Sequence, residues 1–207
     1  MPMTLSRRSF SFGAAALTAL VPAAAHALIE NQAAVLSEVE AYLNGITTLD
    51  SRFVQLNQDG TVMNGTFQMK RPNFARIAYD DPETILIARG QKYMFWDGEI
   101  GQFYEGAVSA SPASVLLYPD IDLDEVANVL DVRRDKGFLV VTLEPSEEPG
   151  AGLLTLAFEE DPMNLRQWFV RDAQGYVTRI TLTEFEYGTT LSDDLFDLNH
   201  LDMIRPD

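Results

Sequence analysis

The stretch Gly65-Thr66-Phe67-Gln68-Met69-Lys70-Arg71 decides how this 207-residue chain is read. Successive side chains of a strand point to opposite faces, so Gly65, Phe67, Met69 and Arg71 share one side while Thr66, Gln68 and Lys70 share the other. Phe67 and Met69 make that first side apolar, with methionine suited to irregular space. Arg71 ends the same side. A guanidinium there must reach water past its stem or be met by carbonyl acceptors, because an unpaired buried charge is very costly. Arg71 is therefore either an exposed strand-end side chain or a pin between the sheet and something that covers it.

Working outward, the same period of two recurs along most of the chain. Strands are expected over 49–58, 61–70, 74–79, 84–89, 92–96, 101–105, 138–143, 153–158, 166–171 and 176–187. Short turn signals such as Asp59-Gly60, Asp97-Gly98 and Lys136-Gly137 separate them, so neighbouring strands run antiparallel. Apolar faces are expected at Leu139/Val141/Leu143, Leu154/Leu156/Phe158, Trp168/Val170 and Ile180/Leu182. Phe185 has the opposite parity to Leu182, and a bulge near Thr183 or Glu184 would keep both inside. In 93–96 both faces are apolar, Tyr93 with Phe95 and Met94 with Trp96, so that hairpin is covered twice or meets a partner.

Helices are sparse. Asn31 caps a predicted first helix with Val35, Leu36, Val39, Leu43 and Ile46 along one face. Ser111-Pro112 opens a short segment that Pro119 stops. Asp122-Leu123-Asp124-Glu125 resembles a capping box opening a helix through Val126, Val129 and Leu130. The Asp120-Ile121-Asp122-Leu123-Asp124 spacing also resembles the start of a calcium loop, but Glu125 stands where glycine is required, which favours capping.

Composition narrows function. There is no cysteine and there are only two histidines, His26 and His200, so thiol chemistry, zinc ribbons and histidine triads have no material. A net charge of −16 repels phosphate backbones, so no nucleic-acid partner is expected. No catalytic residue, metal site or cofactor stands out. Residues 1–27 read as a cleaved export signal. Arg7-Arg8 precede an uncharged, alanine-rich run that ends at Ala25-His26-Ala27, in the manner of a twin-arginine leader. The remaining chain, 28–207, is then one domain located in a bacterial periplasm. No cysteine follows the leader to accept a lipid anchor.

The leader, the first helix, Asp50-Ser51-Arg52-Phe53-Val54-Gln55, the 65–74 run with Pro72-Asn73-Phe74, Asp81-Pro82-Glu83 and Trp96-Asp97-Gly98 occur in the order seen in the LolA family, which this sequence resembles. The match is most specific over 53–96 and ordered onward to Asp197. The resemblance implies a mainly β fold with short helices: an unclosed, curved antiparallel β-barrel with a helical lid over an apolar concave face. It implies a monomeric, non-enzymatic periplasmic chaperone. Such a carrier shields lipoprotein acyl chains and ferries acylated lipoproteins from an inner-membrane lipoprotein-releasing ABC transporter to the outer membrane, where a receptor takes them. It further implies a lid latch formed by Arg71 with Leu43, Val115 and Leu116. The acyl-chain cavity is expected at Phe53, Phe67, Met69, Tyr79, Trp96, Leu117, Phe158, Trp168 and Phe185. The lipidated outer-membrane receptor LolB shares this fold, and the missing cysteine argues against it. The 59–60 turn is shorter than in familiar carriers, and a longer C-terminal extension of some members is missing. A carrier or sensor of another lipid is the alternative, and a carboxylate hydrolase is disfavoured because no site-like acidic cluster stands out.

Overall fold

The computed structural model describes residues 31–199, so the expected leader and both His26 and His200 lie outside the described residues. Helix α1 (Gln32–Gly45) is followed by strands β1 (Thr48–Leu56), β2 (Val62–Lys70), β3 (Phe74–Tyr79), β4 (Ile85–Arg89), β5 (Lys92–Asp97) and β6 (Gln102–Ala107). A crossing segment then carries the 3₁₀ turns Val108–Ala110 and Pro112–Leu117 and the short helix α2 (Leu123–Val126). Strands β7 (Ala127–Asp135), β8 (Phe138–Pro145), β9 (Gly152–Glu160), β10 (Met163–Asp172) and β11 (Val177–Tyr187) complete the sheet, with a last 3₁₀ turn at Asp193–Phe196.

All eleven strands belong to one sheet in the order β6-β5-β4-β3-β2-β1-β11-β10-β9-β8-β7. Every junction is antiparallel. Two meanders thus meet at the β1–β11 seam, and the free edges β6 and β7 leave the barrel unclosed. The crossing segment that links those edges lies over the concave face.

Parity fills that face as expected. Leu139, Val141, Leu143, Leu154, Leu156 and Phe158 are at most 1% exposed. Burying each such side chain contributes roughly 1.5–3 kcal/mol. Asn31 caps α1 by accepting from the Ala34 amide (3.3 Å), and the helix buries Val39 and Leu43. Tyr42 meets the Phe158 ring edge-on at 5.8 Å, and its hydroxyl accepts from the Leu165 amide (2.8 Å).

The bulge required by Phe185 is present. The β1–β11 register slips between Asp50↔Glu186 and Arg52↔Thr183, with Glu184 at φ 51°. Ser51, 1% exposed, donates its hydroxyl to the Thr183 carbonyl (2.9 Å) and so satisfies the distorted ladder.

One expectation fails here. Asp122 does cap, accepting from the Asp124 amide (3.1 Å), but the helix ends at Val126; Val129 and Leu130 belong to β7, which the sequence reading omits. A bulge between Val129 and Asp131 breaks the alternation and leaves Leu130 54% exposed, so the strand carries no clean period of two. The short segment opened by Ser111-Pro112 is present as a 3₁₀ helix over Pro112–Leu117, with Ser111 accepting from the Ala113 amide.

A second, smaller core lies on the convex side. Ile85, Ile87, Met94 and Trp96 are covered there by Leu191, Leu195 and Phe196. Phe196 stacks against Phe74 at 5.6 Å, while Lys70 pairs with Asp193. The doubly apolar β5 is thus half-buried, with packing on both of its faces.

Gly65 sits where β1, β2 and β3 cross beneath the Phe53 ring. A Cβ there would lie 2.3 Å from the Ala78 carbonyl oxygen and 2.7 Å from the ring. Gly65→Ala is expected to cost about 1–3 kcal/mol and lower the melting midpoint by several degrees. Gly150→Ala, at an open position, should leave it unchanged. Thermal unfolding of both variants checks this; equal midpoints would contradict the packing described.

Candidate functional site: a lidded apolar cavity

Arg71 follows β2 on the concave side, in phase with Phe67 and Met69. Its amide continues the β1–β2 pairing by donating to the Thr47 carbonyl (2.8 Å). Its guanidinium spreads across three acceptors. Nε donates to the Tyr118 carbonyl (2.9 Å), one terminal nitrogen to the Leu43 carbonyl, and the other to Asn44 Oδ1 (3.0 Å). Partial burial pulls its pKa below the usual arginine value, with Asp120 opposing the shift. An arginine remains charged at any physiological pH even so.

The acceptors belong to two different pieces of the cover. Leu43 and Asn44 end α1, where helix carbonyls lack intrahelical donors, and Tyr118 lies in the crossing segment. Asn44 ties the pieces together: its Nδ2 donates to the Ile121 carbonyl and its Oδ1 accepts from the Ile121 amide, both at 2.9 Å. Glu40 accepts from the Leu123 amide (2.9 Å), and the Asn73 amide donates to the Leu117 carbonyl (2.9 Å). Neutral hydrogen bonds contribute roughly 0.5–1.5 kcal/mol and those to charged groups roughly 1.5–3. The closure is a small set of separable bonds on top of apolar packing.

Beneath this cover is an apolar cavity of about 600 Å³, within the usual range for a bound small molecule. Phe67 and Trp168 meet edge-on across its floor at 5.2 Å. Gln55 and Tyr79 form a polar side-chain pair in its lining, the phenol donating to Gln55 Oε1 (2.8 Å); burial pushes the Tyr79 pKa up to about 12, so the ring stays neutral. The 3₁₀ turn Pro112–Leu117 supplies the roof, with Val115 fully buried.

The expected site residues divide accordingly. Phe67, Tyr79, Leu117 and Trp168 reach the cavity wall, and Leu116 joins them from the roof. Phe53, Met69 and Phe158 are sealed in the surrounding core at 2%, 4% and 0% exposure and do not line it. Phe185 packs at the core margin under the Arg166 guanidinium, 5.2 Å from its ring centre. Trp96 is misplaced by the sequence reading: its parity turns it to the convex side against Phe103 (4.6 Å). In the latch, the Leu43 carbonyl meets Arg71, but the crossing segment offers Tyr118 rather than Val115 or Leu116. Val115 is sealed in the core and Leu116 lines the cavity, so the acceptor falls just past the turn.

Sequence reasoning missed Asn44, Tyr118 and Glu40, whose contacts span long sequence separations. It also left Tyr93 and Phe95 unassigned; they line the cavity with Ile77 and Leu86. The signal for them was the second apolar face of β5.

The profile of a family described as outer membrane lipoprotein carrier protein LolA matches residues 44–199. An outer-membrane lipoprotein carrier protein of Nitrosomonas europaea is 25% identical over 192 residues, which cover 84% of this chain and 90% of that protein. Among solved structures, a DUF1329 family protein from Desulfovibrio piger aligns with a TM-score of 0.50 at 13% identity, over 81% of this chain and 96% of that one. A LolA superfamily protein from Nitrosomonas europaea aligns with a TM-score of 0.46 at 8% identity, over 79% and 98%. At such identities structural likeness concerns the fold alone.

Arg71→Leu is expected to free the crossing segment. Amide exchange at Ile121 and Leu123 should accelerate at least about tenfold, the equivalent of roughly 1.4 kcal/mol and below the value of one charge-assisted bond. Because the acceptors are carbonyl and amide oxygens and the donor is a guanidinium, the opening free energy extracted from exchange in the unsubstituted protein should be flat from pH 6 to 9. Unchanged protection in the variant would refute the latch.

Proposed function

The chain belongs to the LolA family of outer membrane lipoprotein carrier proteins, and from that membership we propose that it shields lipoprotein acyl chains in the lidded cavity without catalysing a reaction. In this reading it takes acylated lipoproteins from an inner-membrane ABC transporter, crosses the periplasm and delivers them to the outer membrane, directly or through a receptor. The leader over residues 1–27 supplies the export such a location requires. The observation that carries the reading is the apolar cavity of about 600 Å³ roofed by a segment that Arg71 holds shut.

The physics is that of a reversible container. Each methylene withdrawn from water contributes about 0.8 kcal/mol, so several acyl chains left in water would cost on the order of tens of kcal/mol. A carrier must hide them and still let go. Loading moves the cover aside and breaks the Arg71 bonds; release lets them re-form. The stability of the empty, closed state therefore opposes retention and favours delivery, by as much as the two states differ in free energy.

Detergent-free purification of the mature protein from periplasm, with mass spectrometry of whatever stays bound, tests the cargo. Triacylated lipoproteins are the expected finding; phospholipid alone would reassign it. Arg71→Leu, which loses stabilisation of the closed state only, should load normally and hold its cargo on the order of ten- to a hundredfold more tightly, from the value of a charge-assisted bond. Transfer to outer-membrane vesicles at the normal rate would sink this mechanism.

A further inference from the structure

On the opposite, convex face of the sheet, strands β7 to β11 and the β7–β8 turn form a groove of about 520 Å³. Val140 and Ala157, 7% and 3% exposed, make its floor, and the half-buried Leu153, Phe169 and Val177 rise around them. The Thr142 and Thr155 hydroxyls bond to each other there (3.1 Å), so the floor satisfies its own polar groups. The 191–198 segment that packs the convex face of β4 and β5 does not line this groove.

The groove is basic in an acidic chain. Arg133, Lys136, Arg171 and Arg179 line it against one carboxylate, Asp135, although the sequence holds 31 acidic residues to 15 basic. Arg133 is paired with Asp131. The other three cations make no ion pair among the described residues. Arg171 and Arg179 stand together: Arg171 faces Val177 across the β10–β11 ladder and Arg179 lies two residues further on, a diagonal that sets side-chain roots roughly 7–8 Å apart on one face. Asp172, next to Arg171 in sequence, is engaged within the β10–β11 turn, accepting from the Gln174 and Tyr176 amides (both 2.9 Å). Two unpaired guanidiniums beside an apolar floor suit an oxyanion joined to an apolar body, because a guanidinium fork matches the oxygens of carboxylate and similar groups.

We propose that this groove is a second binding site, for a monomeric anionic amphiphile. The oxyanion meets Arg171 and Arg179, and the apolar body lies across the strands over Phe169 toward Ala157 and Val140. Register supports that path, since Arg179 pairs with Phe169, Phe169 with Thr155, and Ala157 with Val140. Charge range decides the size of the ligand. Screening confines each charge to about 8 Å at physiological salt, so a small anion meets the local cations, whereas a bilayer or a second copy of this chain also meets the net −16. The site lies on the other side of the sheet from the lidded cavity and does not depend on what that cavity carries.

Two dyes that share a ring skeleton and differ by one sulfonate test this: 8-anilinonaphthalene-1-sulfonate and the neutral N-phenyl-1-naphthylamine. With the neutral dye already saturating, the sulfonate is expected to shift the methyl resonances of Val140, Ala157 and Val177 in the groove, and not those of Ile77, Leu86 and Ile180 in the lidded cavity. The double variant Arg171→Gln/Arg179→Gln should weaken sulfonate binding about five- to thirtyfold, each partly exposed pair contributing up to about fivefold, and leave the neutral dye within about twofold. Raising salt from about 0.02 M to about 0.5 M should weaken the sulfonate alone in the unsubstituted protein, a measurement that needs no variant to fold. Phosphatidylglycerol vesicles should not retain the protein at a salt where the sulfonate binds. Shifts confined to the cavity methyls, sulfonate binding indifferent to salt or to the double substitution, or equal losses for both dyes would each overturn the site. Vesicle retention that the double substitution abolishes would overturn the monomeric ligand in favour of a membrane surface.

Discussion

A guanidinium that ends an apolar strand face has to be surrounded by oxygen acceptors, and at Arg71 the cover of the sheet supplies them. The Leu43 carbonyl, Asn44 Oδ1 and the Tyr118 carbonyl come from two segments about 75 residues apart in the chain, and one side chain holds both in place. Asn44 completes the arrangement by pairing with the Ile121 backbone in both directions. Without Arg71 the end of α1 and the crossing segment would keep their apolar underside and the Asn44–Ile121, Glu40–Leu123 and Asn73–Leu117 bonds, but would lose the one side chain that joins both of them to the end of β2.

The cavity follows from that constraint together with parity. The concave face of an unclosed sheet presents more apolar side chain than α1 and one short 3₁₀ turn can fill. Interiors tolerate few voids, so space left under a cover held by hydrogen bonds is space that a ligand can use. The convex face shows the contrast: Ile85, Ile87, Met94 and Trp96 are packed directly by the 191–198 segment, and a core forms there instead of a chamber. Covering one face tightly and the other through a latch gives β5 its double apolar character.

Much of this was legible in the sequence where local rules decide. The 65–71 alternation places Arg71 on the cavity side, Asn31 and Ser111 cap as their residue types require, and the parity clash between Leu182 and Phe185 locates the bulge at Glu184. What escaped is what long-range contacts decide. Strand β7 begins directly after a real helix cap and carries a bulge, so no clean period marks it. Trp96 and Phe95 are equivalent in composition, and only the returning 191–198 segment determines which of them faces the chamber. The acceptor at Tyr118 is a backbone carbonyl, which any residue would offer, so its identity left no trace in side-chain pattern.

Because the chain has no cysteine, a pair of spin labels can be placed without removing anything. Labels at Val62→Cys on the sheet and Asp120→Cys on the crossing segment, both exposed positions, report the distance across the mouth by pulsed electron resonance. The latch predicts one narrow distribution in the empty protein. It also predicts a longer, broader one when a triacylated lipopeptide is bound, and the same broadening in empty Arg71→Leu. An Arg71→Leu distribution indistinguishable from that of the empty, unsubstituted protein would show that Arg71 does not hold the cover.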